Sequence, residues 1–161
     1  MADGKDSGLA SGTSGSPQLS LDNDEIAAKA KENETKVLNE TTAAVWNHIE
    51  ATQENYGGTV IPKSFTVNTP QGKMWTHGNA TEHMYEALVS TKNKPPALKH
   101  SHPNLYAQFI LYDYYRSLGD TVRSGITYGK IIKANGWEFI FSKPREKGKN
   151  PVVKHAQFNG I

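Results

Sequence analysis

Cysteine is absent from this sequence. That absence removes disulfides, thiolate metal sites and a cysteine nucleophile at once, and leaves the fold independent of redox state. Long apolar runs are lacking too. No stretch approaches the roughly 18 to 20 residues that span a bilayer, and no charged-then-apolar signal opens the chain. With 36% hydrophobic and 21% charged residues among 161, the chain reads as one soluble domain with a modest core. The lack of cysteine suits a cytosolic protein, and equally a cargo that crosses compartments.

Arginine is missing from residues 1–91, where six lysines face twelve acids, a balance of −6. Residues 92–161 carry twelve Lys and Arg against four acids, or +8, so the formal +2 conceals two opposed halves. A basic half of this size points to an anionic partner, and nucleic acid is the commonest one.

Residues 1–20 are rich in Gly, Ser and Asp and read as a flexible leader or linker. Residues 21–58 read as an N-terminal helical segment. Asp22 caps it, with Glu25 three residues on, Val37, Leu38, Val45, Trp46 and Ile49 form one apolar stripe, and "YGG" at 56–58 ends it. Residues 59–161 then form an α+β domain. Phe65 and Val67 alternate with polar residues before "NTPQG", and Met74 and Trp75 begin a return strand. "HGNATEHMYEALVSTK" reads as a helix capped by Asn79, with Glu82 at its third position and Met84, Ala87 and Leu88 inward. "KNKPPALKHSHP" reads as a loop. Pro103 suits the first turn of a buried helix that continues to Gly119.

From Ile126 the period changes. "ITYGKIIKA", "NG" and "WEFIFSKP" form the strongest hairpin signal, because Asn-Gly suits a type I′ turn. That turn sets Ala134 opposite Trp137, Lys133 opposite Glu138 and Ile132 opposite Phe139. "NPVVKHAQF" supplies a third strand. The fold class is α+β, N-terminal helices packed on a C-terminal antiparallel sheet.

Trp137, Phe139 and Phe141 belong to the core face of that sheet. The opposite face carries Glu138, Ile140 and Ser142, with Thr127, Ile131 and Lys133 across from them, and His155 is expected beside Glu138 and Ser142. A histidine, a carboxylate, hydroxyls and a lysine on one accessible face are the parts of a general acid–base site. Cleavage of a phosphodiester by the ribose 2′-hydroxyl needs a base, an acid and cations for the phosphorane. Lys130, Lys143, Arg145, Lys147, Lys149 and Lys154 are candidate phosphate ligands, with Thr127. A second histidine group is "THGNATEHM". There His77 sits beside a helix start whose backbone amides at Thr81 and Glu82 would bind phosphate, with His83 on the helix. The same residues also read simply as a capping box. His77, His83, His100 and His102 lack metalloprotease spacing, so no metal and no cofactor is expected.

Three stretches, "IPKSFTV", "MWTHGNATEHMYE" and "NGWEFIFSKPREKGKNPVVKHAQF", resemble in this order the C-terminal toxin modules of bacterial polymorphic and contact-dependent growth-inhibition toxins. The resemblance implies the fold shared by barnase, EndoU, colicin E5 and RelE, with N-terminal helices on a four- or five-stranded antiparallel sheet. It implies a metal-independent endoribonuclease, often acting on tRNA, delivered into the cytoplasm of a target cell and neutralised by a cognate immunity protein. By this resemblance the catalytic candidates are His155, Glu138, His77, Ser142 and His83, with Arg145 on phosphate. His155 would be acid or base, and Glu138 or His77 its complement. The free protein is expected to be a monomer. The alternative is a non-catalytic nucleic-acid- or protein-binding module in which Trp137, Tyr128 and the basic loop grip a strand.

Overall fold

Asn135 and Gly136 both take positive φ, 54° and 84°, as the two central residues of a type I′ turn must. The strands they join, β4 (Ile131–Ala134) and β5 (Trp137–Ser142), have the register set by that turn, with Ile132 opposite Phe139, Lys133 opposite Glu138 and Ala134 opposite Trp137. The computed structural model describes residues 23–90 and 97–159. The leader at 1–20 and the Asp22 cap lie outside the described residues.

The chain divides into two units, Met1–Val37 and Leu38–Ile161. Helix α1 (Asn23–Thr42) supplies what is described of the first, and its last turn opens the second. The helical segment expected as far as residue 58 is shorter than its apolar pattern suggested. After Thr42 a 3₁₀ turn covers Ala43–Asn47, and Ile49–Ala51 is an edge strand, β1. The cause is local to residues 38–49. Val45 is fully buried and Ile49 nearly so. Thr42 meanwhile bonds back to the Leu38 carbonyl (2.8 Å), an arrangement that suits a helix end better than its middle.

The sheet has six strands in the order β1-β2-β3-β6-β5-β4, where β2 is Phe65–Thr69, β3 Gly72–Thr76 and β6 Val152–Phe158. Its neighbours are antiparallel except for β3 and β6, which run parallel through Trp75–Val152 and Thr76–Val153. The purely antiparallel C-terminal sheet expected from the sequence is therefore a mixed sheet, because the N-terminal hairpin docks onto the free edge of the C-terminal one.

Between β3 and β4 come α2 (Gly78–Val89), the short α3 (Ala97–Ser101) and α4 (Pro103–Arg123). Residues 97–101 were expected as loop, and residues 92–96 of that loop lie outside the described residues. Helix α4 runs through Gly119 to Arg123 rather than stopping there. It is the buried helix, with Ala107, Ile110, Leu111, Tyr114 and Leu118 in the core with Trp137, Phe139 and Phe141. Tyr114 is the centre, its ring 5.9 Å from both Phe65 and Phe139 and 5.5 Å from Trp137. Its hydroxyl pairs with Thr76 at 2.7 Å, so the phenol is buried with its polar atom satisfied. Each such fully buried aromatic contributes about 1.5–3 kcal/mol by burial alone. Met84 and Leu88 of α2 join this core, while Ala87, expected inward, is exposed.

One irregularity decides which side chains of β6 reach which face of the sheet. Between β5 and β6 the pairing steps from Ile140–His155 to Phe141–Val153, leaving Lys154 as an extra, exposed residue. This bulge lets Ala156 and Val153, three apart, both reach the core. Val153, which strict alternation would place on the His155 face, is instead buried opposite Phe141.

Candidate active site

The sheet face turned away from α4 carries three side-chain rows, read across β3, β6, β5 and β4 from the strand register. Trp75, Val152 and Ser142 form one row. His155, Ile140 and Ile131 form the next, and Gln157, Glu138 and Lys133 the third. Alternation along β5 puts Glu138, Ile140 and Ser142 here, half-buried, because Trp137, Phe139 and Phe141 are claimed by the core.

His155 and Glu138 meet on this face. The imidazole Nε2 lies 3.2 Å from Glu138 Oε2, with side chains 22% and 23% exposed. With Nε2–H donating to the carboxylate, Nδ1 holds the lone pair, so the neutral ring is a base with a fixed orientation. Asn159 Nδ2 touches the other carboxylate oxygen at 3.4 Å. His83 comes to the same point from α2. Its ring stands edge-to-face on His155, centroids 5.1 Å apart, and its Nδ1 lies 3.0 Å from Glu86 Oε1 one turn along. Two imidazoles, each on its own carboxylate, thus adjoin.

His77 belongs to a neighbouring cluster. It is the N-cap of α2, in place of the expected Asn79, and its Nδ1 accepts the Asn79 backbone N–H at 3.0 Å. The Thr81 amide, expected to bind phosphate, is spent on the His77 carbonyl at 3.1 Å, so the helix start caps itself. The His77 backbone N–H donates to Val153 at 3.1 Å, one residue beyond the parallel pairing. Its ring stands edge-on to Trp75 at 5.5 Å, and the Arg145 guanidinium lies 5.0 Å over that indole. Partial burial first, then the Arg145 and Lys154 charges, lower the pKa of His77. A neutral ring with Nδ1 committed to the cap has its proton on Nε2, so it donates a hydrogen bond and does not act as base.

The remaining candidates are less closely placed. Ser142 is on the face without a hydrogen bond to His155 or Glu138 among the described residues. Lys143, Arg145, Lys147 and Lys149 are exposed on the loop between β5 and β6, which supports a diffuse anion-binding rim. Lys130 and Thr127 are exposed and precede β4, which begins only at Ile131, so Thr127 is not on the strand across from β5 as expected, whereas Ile131 and Lys133 are. Trp137, a stacking platform in the binding-module reading, is 2% exposed and tied to Asp113 Oδ2 at 2.8 Å. Among the described residues no group of three or more His, Asp or Glu side chains could hold a metal ion.

Sequence reasoning missed Trp75. The signal was present, since an aromatic two residues before His77 on a strand must share its face. The chain matches no protein-family model and no curated protein, and what the site can do rests on its own geometry.

Proposed function

We propose that the protein is an endoribonuclease that cleaves RNA by acid–base catalysis on the open sheet face, and that it acts as a delivered toxin in bacterial competition. The observation that carries the reading is the His155–Glu138 pair with His83 against it. His155 Nδ1 takes the proton of a ribose 2′-hydroxyl. The 2′-oxygen bonds to phosphorus, the bond from phosphorus to the 5′-oxygen breaks, and a protonated His83 gives its proton to that leaving oxygen. The products are a 2′,3′-cyclic phosphate and a 5′-hydroxyl. The His77 Nε2–H, Lys154 and Arg145 stabilise the phosphorane charge, and Lys143, Lys147 and Lys149 gather the backbone. No step needs a metal.

The packing of α4 on the Trp137–Phe139–Phe141 face of the sheet, with the Glu138 face turned away from it, supports the barnase/EndoU/colicin E5/RelE type of fold as the finer architecture. The parallel β3–β6 joint and the sixth strand are this chain's departures from that plan. The resemblance in the sequence supports tRNA as substrate, action in the target-cell cytoplasm and inhibition by a cognate immunity protein. An acidic inhibitor would be steered to the same basic loop.

The test is incubation of purified protein with total bacterial RNA in EDTA, read on a gel. Discrete cleavage with cyclic-phosphate ends, lost in His155→Ala, is the expected result. RNA left intact, with or without added Mg²⁺ or Zn²⁺, overturns catalysis and favours a module that binds without cutting.

A further inference from the structure

Beside the catalytic groups, on the β3 side of the face, lies a cavity of about 590 Å³ lined by Trp75, Arg145, Glu146, Lys149, Asn150 and Val152. Its size is that of a pocket for one small ligand. Its chemistry differs from that of the His155 cluster. One wall is the Trp75 indole with the Arg145 guanidinium over its face, 5.0 Å from the ring centroid, and Val152 adds an apolar surface. The rim offers the Lys149 ammonium, the Glu146 carboxylate and the Asn150 amide.

The indole and the backbone of the loop are held in place. Trp75 Nε1–H donates to Thr52 Oγ1 at 3.1 Å, and that hydroxyl is paired with Ser64 at 2.6 Å, so the indole plane is fixed before anything binds. The loop is pinned at its far end, where the Trp75 backbone N–H donates to Pro151 at 2.9 Å. It turns back on itself through Lys149 N–H to Glu146 at 3.1 Å. Arg145 is exposed, so its guanidinium can be reached from solvent. Aromatic rings and guanidinium planes are the surfaces on which splayed bases stack.

We infer that this cavity takes one unpaired nucleobase of an RNA single strand, stacked on the Trp75–Arg145 pair. The inference rests on the reading of the face as an RNA-cleaving surface and adds to it a subsite that fixes where the strand lies. His77 touches the same indole edge-on, so a base in the cavity carries its phosphate toward the His77 Nε2–H and Lys154. A paired base has its faces covered by its neighbours in the helix. The subsite therefore requires a loop, a bulge or a single-stranded end.

The experiment uses the full chain and a fluorescently labelled 2′-O-methyl RNA decamer, which cannot be cleaved through its blocked 2′-oxygens. It is tested alone and annealed to its complement, by anisotropy at fixed salt. The single strand is expected to bind more tightly than the duplex. Trp75→Ala, with an unchanged far-ultraviolet spectrum, is expected to weaken it about tenfold, and Trp75→Phe to retain most of the affinity. If Trp75→Ala does not fold, Arg145→Ala, altered only at the surface, reads the same stack and is expected to weaken binding as well. Equal binding of single strand and duplex overturns the inference, as does a folded Trp75→Ala that binds like the wild type. Cleavage of natural RNA separates the two readings. Trp75-dependent binding without any cleavage removes the ribonuclease and keeps the base site, whereas cleavage with Trp75-independent binding does the reverse.

Discussion

Glu138 and His155 touch although they are not partners in the sheet. Glu138 is registered with Gln157 and His155 with Ile140, yet the imidazole Nε2 is 3.2 Å from the carboxylate. The contact is diagonal, within reach of two long side chains on one face. It lies just beyond the bulge at Lys154, which puts His155 on the open face while leaving Val153 in the core.

If this pair performs proton transfer, its two members have separable roles. His155→Ala should lower kcat on RNA by about 10²- to 10⁴-fold. Glu138→Gln keeps the shape but loses the charged acceptor, and should lower kcat by about tenfold while leaving KM nearly unchanged. Steady-state kinetics on a defined RNA checks both. An unchanged rate in His155→Ala removes this residue from the chemistry.

The titration of His77 offers a test that needs no substrate. Burial is the largest cause of its lowered pKa, with Arg145 next and Lys154 third. In Arg145→Ala the imidazole resonances should titrate at higher pH than in wild type, yet still below an ordinary histidine, because the burial remains. The stability effect has the matching sign. A folded pKa below the unfolded one means the unfolded chain binds the extra proton, so stability falls slightly as pH drops through about 6.5 and levels off below the folded value. The ring is partly exposed, so solvent screening keeps this effect small.

Asn135 anchors the hairpin to α4. Its side-chain amide donates to Asp120 Oδ2 at 2.9 Å, and this bond, followed by Arg123, holds the Asp120 carboxyl below its usual range. Asn135→Gly keeps the positive φ without strain and removes only the amide. Asp120 should then titrate at higher pH. A depressed carboxylate stabilises fully above its unfolded pKa of about 3.9 and loses that contribution as pH falls through the folded value. The stability difference between wild type and Asn135→Gly should therefore shrink between neutral and strongly acid solution, read by denaturant unfolding.

Gln108 gathers three partners from the start of the second unit. It accepts from Trp46 Nε1 at 2.8 Å and donates to Thr42 Oγ1 at 2.9 Å and Asn39 Oδ1 at 3.0 Å. Gln108→Leu strands those groups and should cost about 1–3 kcal/mol, measured as a lower denaturant midpoint. A smaller loss would mean that water replaces the amide.

The hairpins were legible in the sequence because their signals are local. Asn135–Gly136 dictates its register through backbone conformation alone, and alternation then names Glu138 and Ser142 as face residues. The bulge at Lys154 was not legible, since it arises from fitting Val153 and Ala156 into one core. Nor was the parallel contact of β3 with β6, which depends on two hairpins meeting across most of the domain. His77 as N-cap was hidden because Asn79 has the stronger intrinsic capping preference. What selected His77 instead is the β3–β6 joint, which ends the strand at Thr76 and starts the helix immediately after.

That joint also has a consequence in time. β1, β2 and β3 are near one another in sequence, as are β4, β5 and β6, so each half-sheet can form early and cheaply. In the sheet the two halves pair through Trp75–Val152 and Thr76–Val153, a closure that spans about half of the chain and is entropically slow. His77, Trp75 and Lys154 lie on one side or the other of this seam. The proposed base site and the charge around His77 therefore do not exist in either half alone and come into being with the last closure. A full-length chain whose two half-sheets have not yet joined carries every residue of the base site without its arrangement.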